Sequence, residues 1–167
     1  FSVDPPVVVF SPTGKPKGKD QKDTLSNIIE TKECVIGLVN TKIVQQISLT
    51  SCEYPSGVNE FEKAGLTEIK ADLVNASLIE ESNINMECRL VKVIPLGEKS
   101  SSGNLVLCEV LKFHVNEKIM NQNFEIDPKK LDGINLNHPF CLAEGANEFW
   151  NYSVPMIDMD YVTADAG

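Results

Sequence analysis

The sequence predicts a mainly β fold, an antiparallel barrel with short helices at its connections. Three observations predict it. Residues 84–94 (INMECRLVKVI) and 105–115 (LVLCEVLKFHV) are long strand-like runs joined by a turn-forming GEKSSSG segment, and together they read as one hairpin. Shorter strand-like runs recur before them. The helical patterns are brief and fall between strands, as peripheral helices do in barrels.

The elements follow in order. Residues 7–10 are an apolar run that Pro5 and Pro6 introduce in extended backbone. Residues 11–22 form a Gly/Pro/Lys loop. Asp23 can cap the next helix, in which Leu25, Ile28 and Ile29 share one face through i, i+3, i+4 spacing. Residues 33–39 (ECVIGLV) read as a strand with apolar residues on both faces. Asn40 or Thr41 caps a second helix that turns Ile43, Val44 and Ile47 inward. Asn59 caps a short turn over 60–64, and Gly65 stands where a helix C′ residue belongs. Residues 67–71 and 76–80 are short strand candidates. In the first hairpin arm Ile84, Met86, Cys88 and Leu90 share a face, and the phase then switches to Val91 and Val93, which predicts a bulge. Asp127-Pro128 opens a short helix ending near Leu131. From 146 onward the periodicity is lost. The chain therefore divides into a barrel domain over 1–145 and an extended tail over 146–167 that packs across a partner subunit.

Charge and cysteine usage narrow the function. The net charge is −9, yet Lys15, Lys17, Lys19 and Lys22 crowd one loop, and no Lys or Arg follows Lys130. A nucleic-acid binder needs a basic face; one basic loop in an acidic chain suits a small anion instead. The five cysteines lack any CxxC spacing, and four lie among apolar residues, which fits a reducing, cytoplasmic compartment. No apolar run approaches the ~20 residues of a membrane span, so no membrane partner is expected.

The richest stretch is 4–27, DPPVVVFSPTGKPKGKDQKDTLSN: a strand, a basic loop and a helix start. Free N–H groups at a helix start carry partial positive charge and suit an anion. The bland alternative, a capped helix with solvated lysines, stays open. The loop is no nucleotide P-loop, because only three residues separate Gly14 from Gly18 and Asp20 follows Lys19. His114 faces opposite to Phe113 and Val115, toward a cleft or water, in a non-catalytic role. His138-x-x-Cys141 lacks a second pair at ligand spacing, so no metal is expected. No GxSxG elbow is present.

DPPVVVFSP, KDTLSNIIET, YPSGVNEFEKAGLT, NMECRL, CEVLKFHV and a following ID step stand in an order that resembles the flavin reductase-like family over roughly residues 1–131. The resemblance implies an FMN-binding split barrel, an antiparallel Greek-key-like barrel with short peripheral helices. It implies a cytoplasmic homodimer that holds FMN near the subunit interface and passes electrons from NAD(P)H to flavin, ferric or protein acceptors. Ser11, the Lys22-Asp23-Thr24 step and Asn27 then correspond to the phosphate-binding loop. Phe1 and Ser2 match the strand end near the ribityl chain and ring, and residues 54–67 match the helix-loop beside the flavin. The family's first strands precede the DPP segment, so an N-terminally incomplete member is expected. Residues 132–140 (DGINLNHPF) stand where the family carries an Arg-x-Gly-Gly-x-Tyr-like stretch. Two further functions stay open: a non-catalytic flavin-binding or storage protein on this fold, and a partner-binding β-domain whose lysine loop is solvated surface.

Overall fold

The computed structural model describes residues 1–12, 23–52, 54–55, 57–99 and 102–132. Its centre is the hairpin read from the sequence: β6 (Ile84–Pro95) against β7 (Asn104–Val115). Before them in the chain come β1 (Ser2–Val3), β2 (Pro6–Phe10) and β3 (Glu33–Gly37). These five strands make one antiparallel sheet in the order β1-β2-β7-β6-β3. Among the described residues no strand joins β3 back to β1, so the sheet is open and β3 is an edge. The hairpin register slips between Glu87 and Cys88 and again between Leu90 and Lys92. The second slip falls where the apolar phase of the sequence switches.

The connections are short helices, as expected. Helix α1 (Asp23–Thr31) buries Leu25 and Ile28 and leads directly into β3. Asp23 is the first residue of this helix rather than the residue before it. The turn out of α1 is tight: Lys32 adopts φ 63°, its N–H bonds the Ile28 carbonyl, and its own carbonyl accepts from Leu90 N at 2.8 Å. That bond fastens the helix end to β6. Asn40 caps a 3-10 turn (Thr41–Ile43) that runs on into α2 (Val44–Thr50). Its amide also donates to the Glu81 carbonyl at 2.8 Å, which explains why a polar side chain is buried there. Asn59 caps α3 (Glu60–Ala64) by accepting from Phe61 N at 2.9 Å, and Gly65 ends it at φ 67°. Only glycine adopts that conformation without a Cβ penalty. The short strands β4 (Glu68–Ile69) and β5 (Leu78–Ile79) pair separately. Helix α4 (Pro128–Leu131) follows Asp127 as the Asp-Pro step predicts.

The sheet packs on both faces. On one, Leu25 and Ile28 of α1 meet Cys34, Cys88, Val106, Cys108 and Val110. On the other, Ala71, Val74 and Leu78 meet Val35 and Leu111. Neighbouring strand residues point to opposite faces, so Cys34 and Val35, and likewise Val110 and Leu111, serve different layers. The tail over 146–167, the 132–140 segment beyond Asp132, and the pair His138 and Cys141 lie outside the described residues.

Candidate functional site

A cleft of about 840 Å³ opens along the β3 edge. It runs from α1, on one face of the sheet, to the segment 75–79 on the other. Its apolar lining comes from Val8, Val9 and Phe10 of β2, Val35 and Ile36 of β3, and Phe61 of α3. Its polar lining comes from Thr24, Asn27 and Thr31 of α1, with Asn75 and Ser77 opposite. Side chains three and four apart share a helix face, so the spacing Thr24, Asn27, Thr31 explains why one side of α1 supplies all three. Leu25 is buried in the core beneath the helix, and Ile28, also in that core, reaches the cleft lining. Small-molecule sites span roughly 300–1,000 Å³ with mostly apolar walls and few polar groups. This cleft has the volume and lining for a flat ring system with a polar tail.

Charge in the cleft is negative where it is described. Glu33 and Glu60 both line it. Glu33 is engaged: its carboxylate accepts from Asn75 N at 2.9 Å and Asn75 Nδ2 at 3.0 Å. Partial burial, and behind it the Asp23 carboxylate, push the Glu60 carboxyl up from its ordinary value. The starts of α1 and α3 therefore face the same space. Cys34 also lines the cleft. The Cys108 thiol, 3.8 Å away, favours its thiolate, but the Cys88 thiol and burial outweigh this and push Cys34 up to about 12. It stands in the wall as a neutral thiol, not as a nucleophile.

The wall at 75–77 is held from behind. Glu87 on β6 is completely buried, and its two oxygens accept from the backbone N–H of Asp72, Leu73 and Val74 at 3.1, 2.6 and 3.1 Å. His114 Nε2 lies 2.5 Å from Glu87 Oε1. Burial alone would raise the Glu87 carboxyl; the His114 ring and the three amides outweigh it and hold it down at about 2. Lys112 Nζ pairs with Asp72 on the outer side. Asp72, Glu87 and His114 bring three ligand-type atoms within 4.8 Å of one another. Both Glu87 oxygens already accept from amides and the ring, and Lys112 holds Asp72 Oδ2, so the cluster works as an internal brace. His114, read from the sequence as facing a cleft or water, faces this carboxylate.

The sequence-derived residues do not all meet in the cleft. Thr24 and Asn27 line the cleft side by side on α1. Asp23 is exposed at the same helix start. Phe1, Ser2 and Ser11 are not in the lining: Phe1 and Ser2 lie on the β1 edge with Phe1 fully exposed, and Ser11 follows Phe10 immediately beyond the wall. Lys22 lies outside the described residues. Thr31, Glu33, Asn75 and Ser77 also line the cleft, and no motif in the sequence points to them. The sequence marks Glu33 only as a strand start and Asn75 only as loop, and their meeting depends on a contact 42 residues long. Of the 54–67 segment, which the family resemblance sets beside the flavin, Glu60 and Phe61 line this cleft.

An open antiparallel sheet with peripheral helices and a lateral cleft is the architecture of split-barrel domains. Residues 1–129 match the model of the flavin reductase like domain, and the chain belongs to that family. The structure is similar to nitrilotriacetate monooxygenase component B from Bacillus cereus, with TM-score 0.72 and 32% identity over 80% of this chain and 65% of that one. A split-barrel protein from Shewanella frigidimarina gives TM-score 0.68 at 25% identity, covering 80% and 63%. The flavoredoxin of Desulfovibrio vulgaris, at 18% identity and TM-score 0.64 over 80% and 66%, shares the fold. An uncharacterised protein of Aquifex aeolicus is 32% identical over 127 residues, 76% of this chain and 62% of its own length. The chain thus spans about three fifths of the length of the curated relatives it matches. Membership of the family implies a flavin. No helix among the described residues is long and apolar enough to cross a membrane.

Proposed function

We propose that the cleft holds FMN and that the chain acts as an NAD(P)H-dependent oxidoreductase of the flavin reductase type, delivering electrons to flavin, ferric or protein acceptors. One observation carries this reading: the polar face of α1 and the apolar residues of β2 and β3 converge on one cleft of about 840 Å³. Bound flavin supplies the hydride chemistry; the protein supplies binding, orientation and exclusion of water. Thr24 and Asn27, together with Lys22, Asp23 and Ser11, bind the phosphate. Val8, Phe10, Val35 and Ile36 pack on the ring. Phe1 and Ser2 approach the ribityl chain and ring from the β1 edge. A protein acceptor is in keeping with the Bacillus cereus neighbour, a component of a monooxygenase.

Magnitudes support a shared load. Micromolar affinity needs about −8 kcal/mol. Charge-assisted hydrogen bonds contribute roughly 1.5–3 kcal/mol each, and immobilising the ligand costs several kcal/mol. Phosphate contacts alone fall short, so the apolar walls must supply the rest. We further propose a cytoplasmic homodimer. Free thiols at Cys34, Cys52, Cys88 and Cys108 suit a reducing compartment, and the exposed Val91 and Phe113 offer apolar surface to a second copy.

The test begins with FMN uptake. The chain is mixed with FMN, desalted, and its visible spectrum recorded before and after anaerobic addition of NADH or NADPH. Retained flavin that bleaches is expected; a colourless protein sinks the reading, and retained flavin that never bleaches points to storage. Joint Lys22→Ala and Thr24→Ala substitution lowers FMN affinity tenfold or more, each tenfold being about 1.4 kcal/mol; unchanged affinity would leave the lysine loop as solvated surface.

A further inference from the structure

We propose that Glu87, which does not line the cleft, is a positioning residue for it: its buried carboxylate fixes the 72–77 segment that forms one wall. The proposal rests on the reading of the cleft as the flavin site.

The argument starts from the backbone. Residues 71–77 form no helix or strand, so their amides have no ladder to join. Buried amides must find acceptors. Three consecutive ones, at 72, 73 and 74, converge on the single carboxylate of Glu87. The next, Asn75 N, goes to Glu33 on the β3 edge at 2.9 Å. Two carboxylates from neighbouring strands therefore hold four successive amides. Beyond this hold the side chains of Asn75, Ala76 and Ser77 enter the cleft. Ala71, Val74 and Ala76 anchor the same segment against Leu78, Val35 and Leu111, while Leu73 is largely exposed. Packing seats the segment, and the two carboxylates fix the direction of its backbone.

A carboxylate is needed for this, and its amide is not equivalent. Both Glu87 oxygens accept N–H bonds, Oε1 from Asp72 N and His114, Oε2 from Leu73 and Val74 N. In glutamine one of the two oxygens becomes an NH₂ donor. Whichever way the amide turns, a donor then faces backbone donors, and the segment must shift. His114 orients the carboxylate from the far side.

Glu87→Gln in the full chain provides the test, read by hydrogen exchange, FMN titration and the bound-flavin spectrum. Expected are at least tenfold faster exchange of the Leu73, Val74 and Asn75 amides with β2 and β7 unchanged, at least tenfold weaker FMN binding, and a shifted flavin spectrum. His114→Phe gives the same pattern at smaller amplitude, about threefold, and serves if Glu87→Gln does not fold. Wild-type exchange at 73–75 in a folded Glu87→Gln protein overturns the proposal. So does exchange that rises uniformly across the sheet, which marks a general stability role. Loosened amides with unchanged FMN affinity and spectrum overturn the link from segment to cleft. A wild-type chain that takes up no FMN sinks the flavin reading instead, and the exchange arm still decides whether Glu87 holds the segment.

Discussion

The two faces of the sheet are built by different physics. Under α1 the contacts are apolar: Leu25, Ile28, Val106, Val110 and three thiols fill the space. Under the 71–79 segment the apolar cluster is small, and polar groups complete it. Glu87, Asn85 and Ser82 are all buried there, and each is hydrogen-bonded. The first face resists change by volume, the second by geometry. The cleft lies along β3, where both faces end, so it inherits a rigid apolar wall and a hydrogen-bonded one.

The comparison breaks most sharply at Leu25. Leu25→Ala empties part of a completely buried site on the apolar face and is expected to cost about 2–5 kcal/mol, read as a lower urea midpoint with an unchanged slope. The next effect is pH-dependent and belongs to the other face. The Glu87 carboxyl lies at about 2 in the fold against an ordinary 4.5. Its contribution is therefore complete above about pH 4.5 and drains away as the pH falls toward 2. The stability gap between wild type and Glu87→Gln should narrow across that window, measured by urea midpoints at pH 6, 4 and 3; a gap independent of pH would show that the carboxylate's charge is not what holds the segment. The smallest effect sharpens the cleft itself. Glu60→Gln removes a negative charge near the start of α1 and is expected to tighten FMN by about twofold, the scale of one screened charge several ångströms away; weaker binding would mean that Glu60 contacts the ligand.

The same contrast explains what the sequence discloses. The apolar face is periodic: Leu25, Ile28 and Ile29 announce a helix face, and the switch from Leu90 to Val91 announces the bulge that the register confirms. Caps at Asn40 and Asn59 and the stop at Gly65 are local chemistry and were legible. The polar face has no period. Glu87 reads as an outward residue of an alternating strand, and only the fold shows that the segment ahead of it in the chain turns its amides onto it. Of the cleft lining, Thr24 stands out because a helix start is a local signal, and Asn27 through the family resemblance. Asn75, Ser77 and Glu33 do not, because loop residues are placed by distant partners. The antiparallel split-barrel architecture with short peripheral helices is legible in the sequence; which strands form the edges among the described residues is not, since no pattern within the chain says which edge strands meet.

The cleft gathers stretches that are far apart in the chain: residues 8–10, 24–37, 60–61 and 75–79. In the sheet, β2 and β3 never touch, being separated by the whole β7–β6 hairpin. A molecule bound there acts as a cross-link among four segments that share no continuous backbone pairing. Only the folded chain presents them together, so occupancy is drawn from the folding equilibrium by mass action. A ligand at one hundred times its Kd adds about 2.7 kcal/mol to global stability, roughly what a buried leucine contributes.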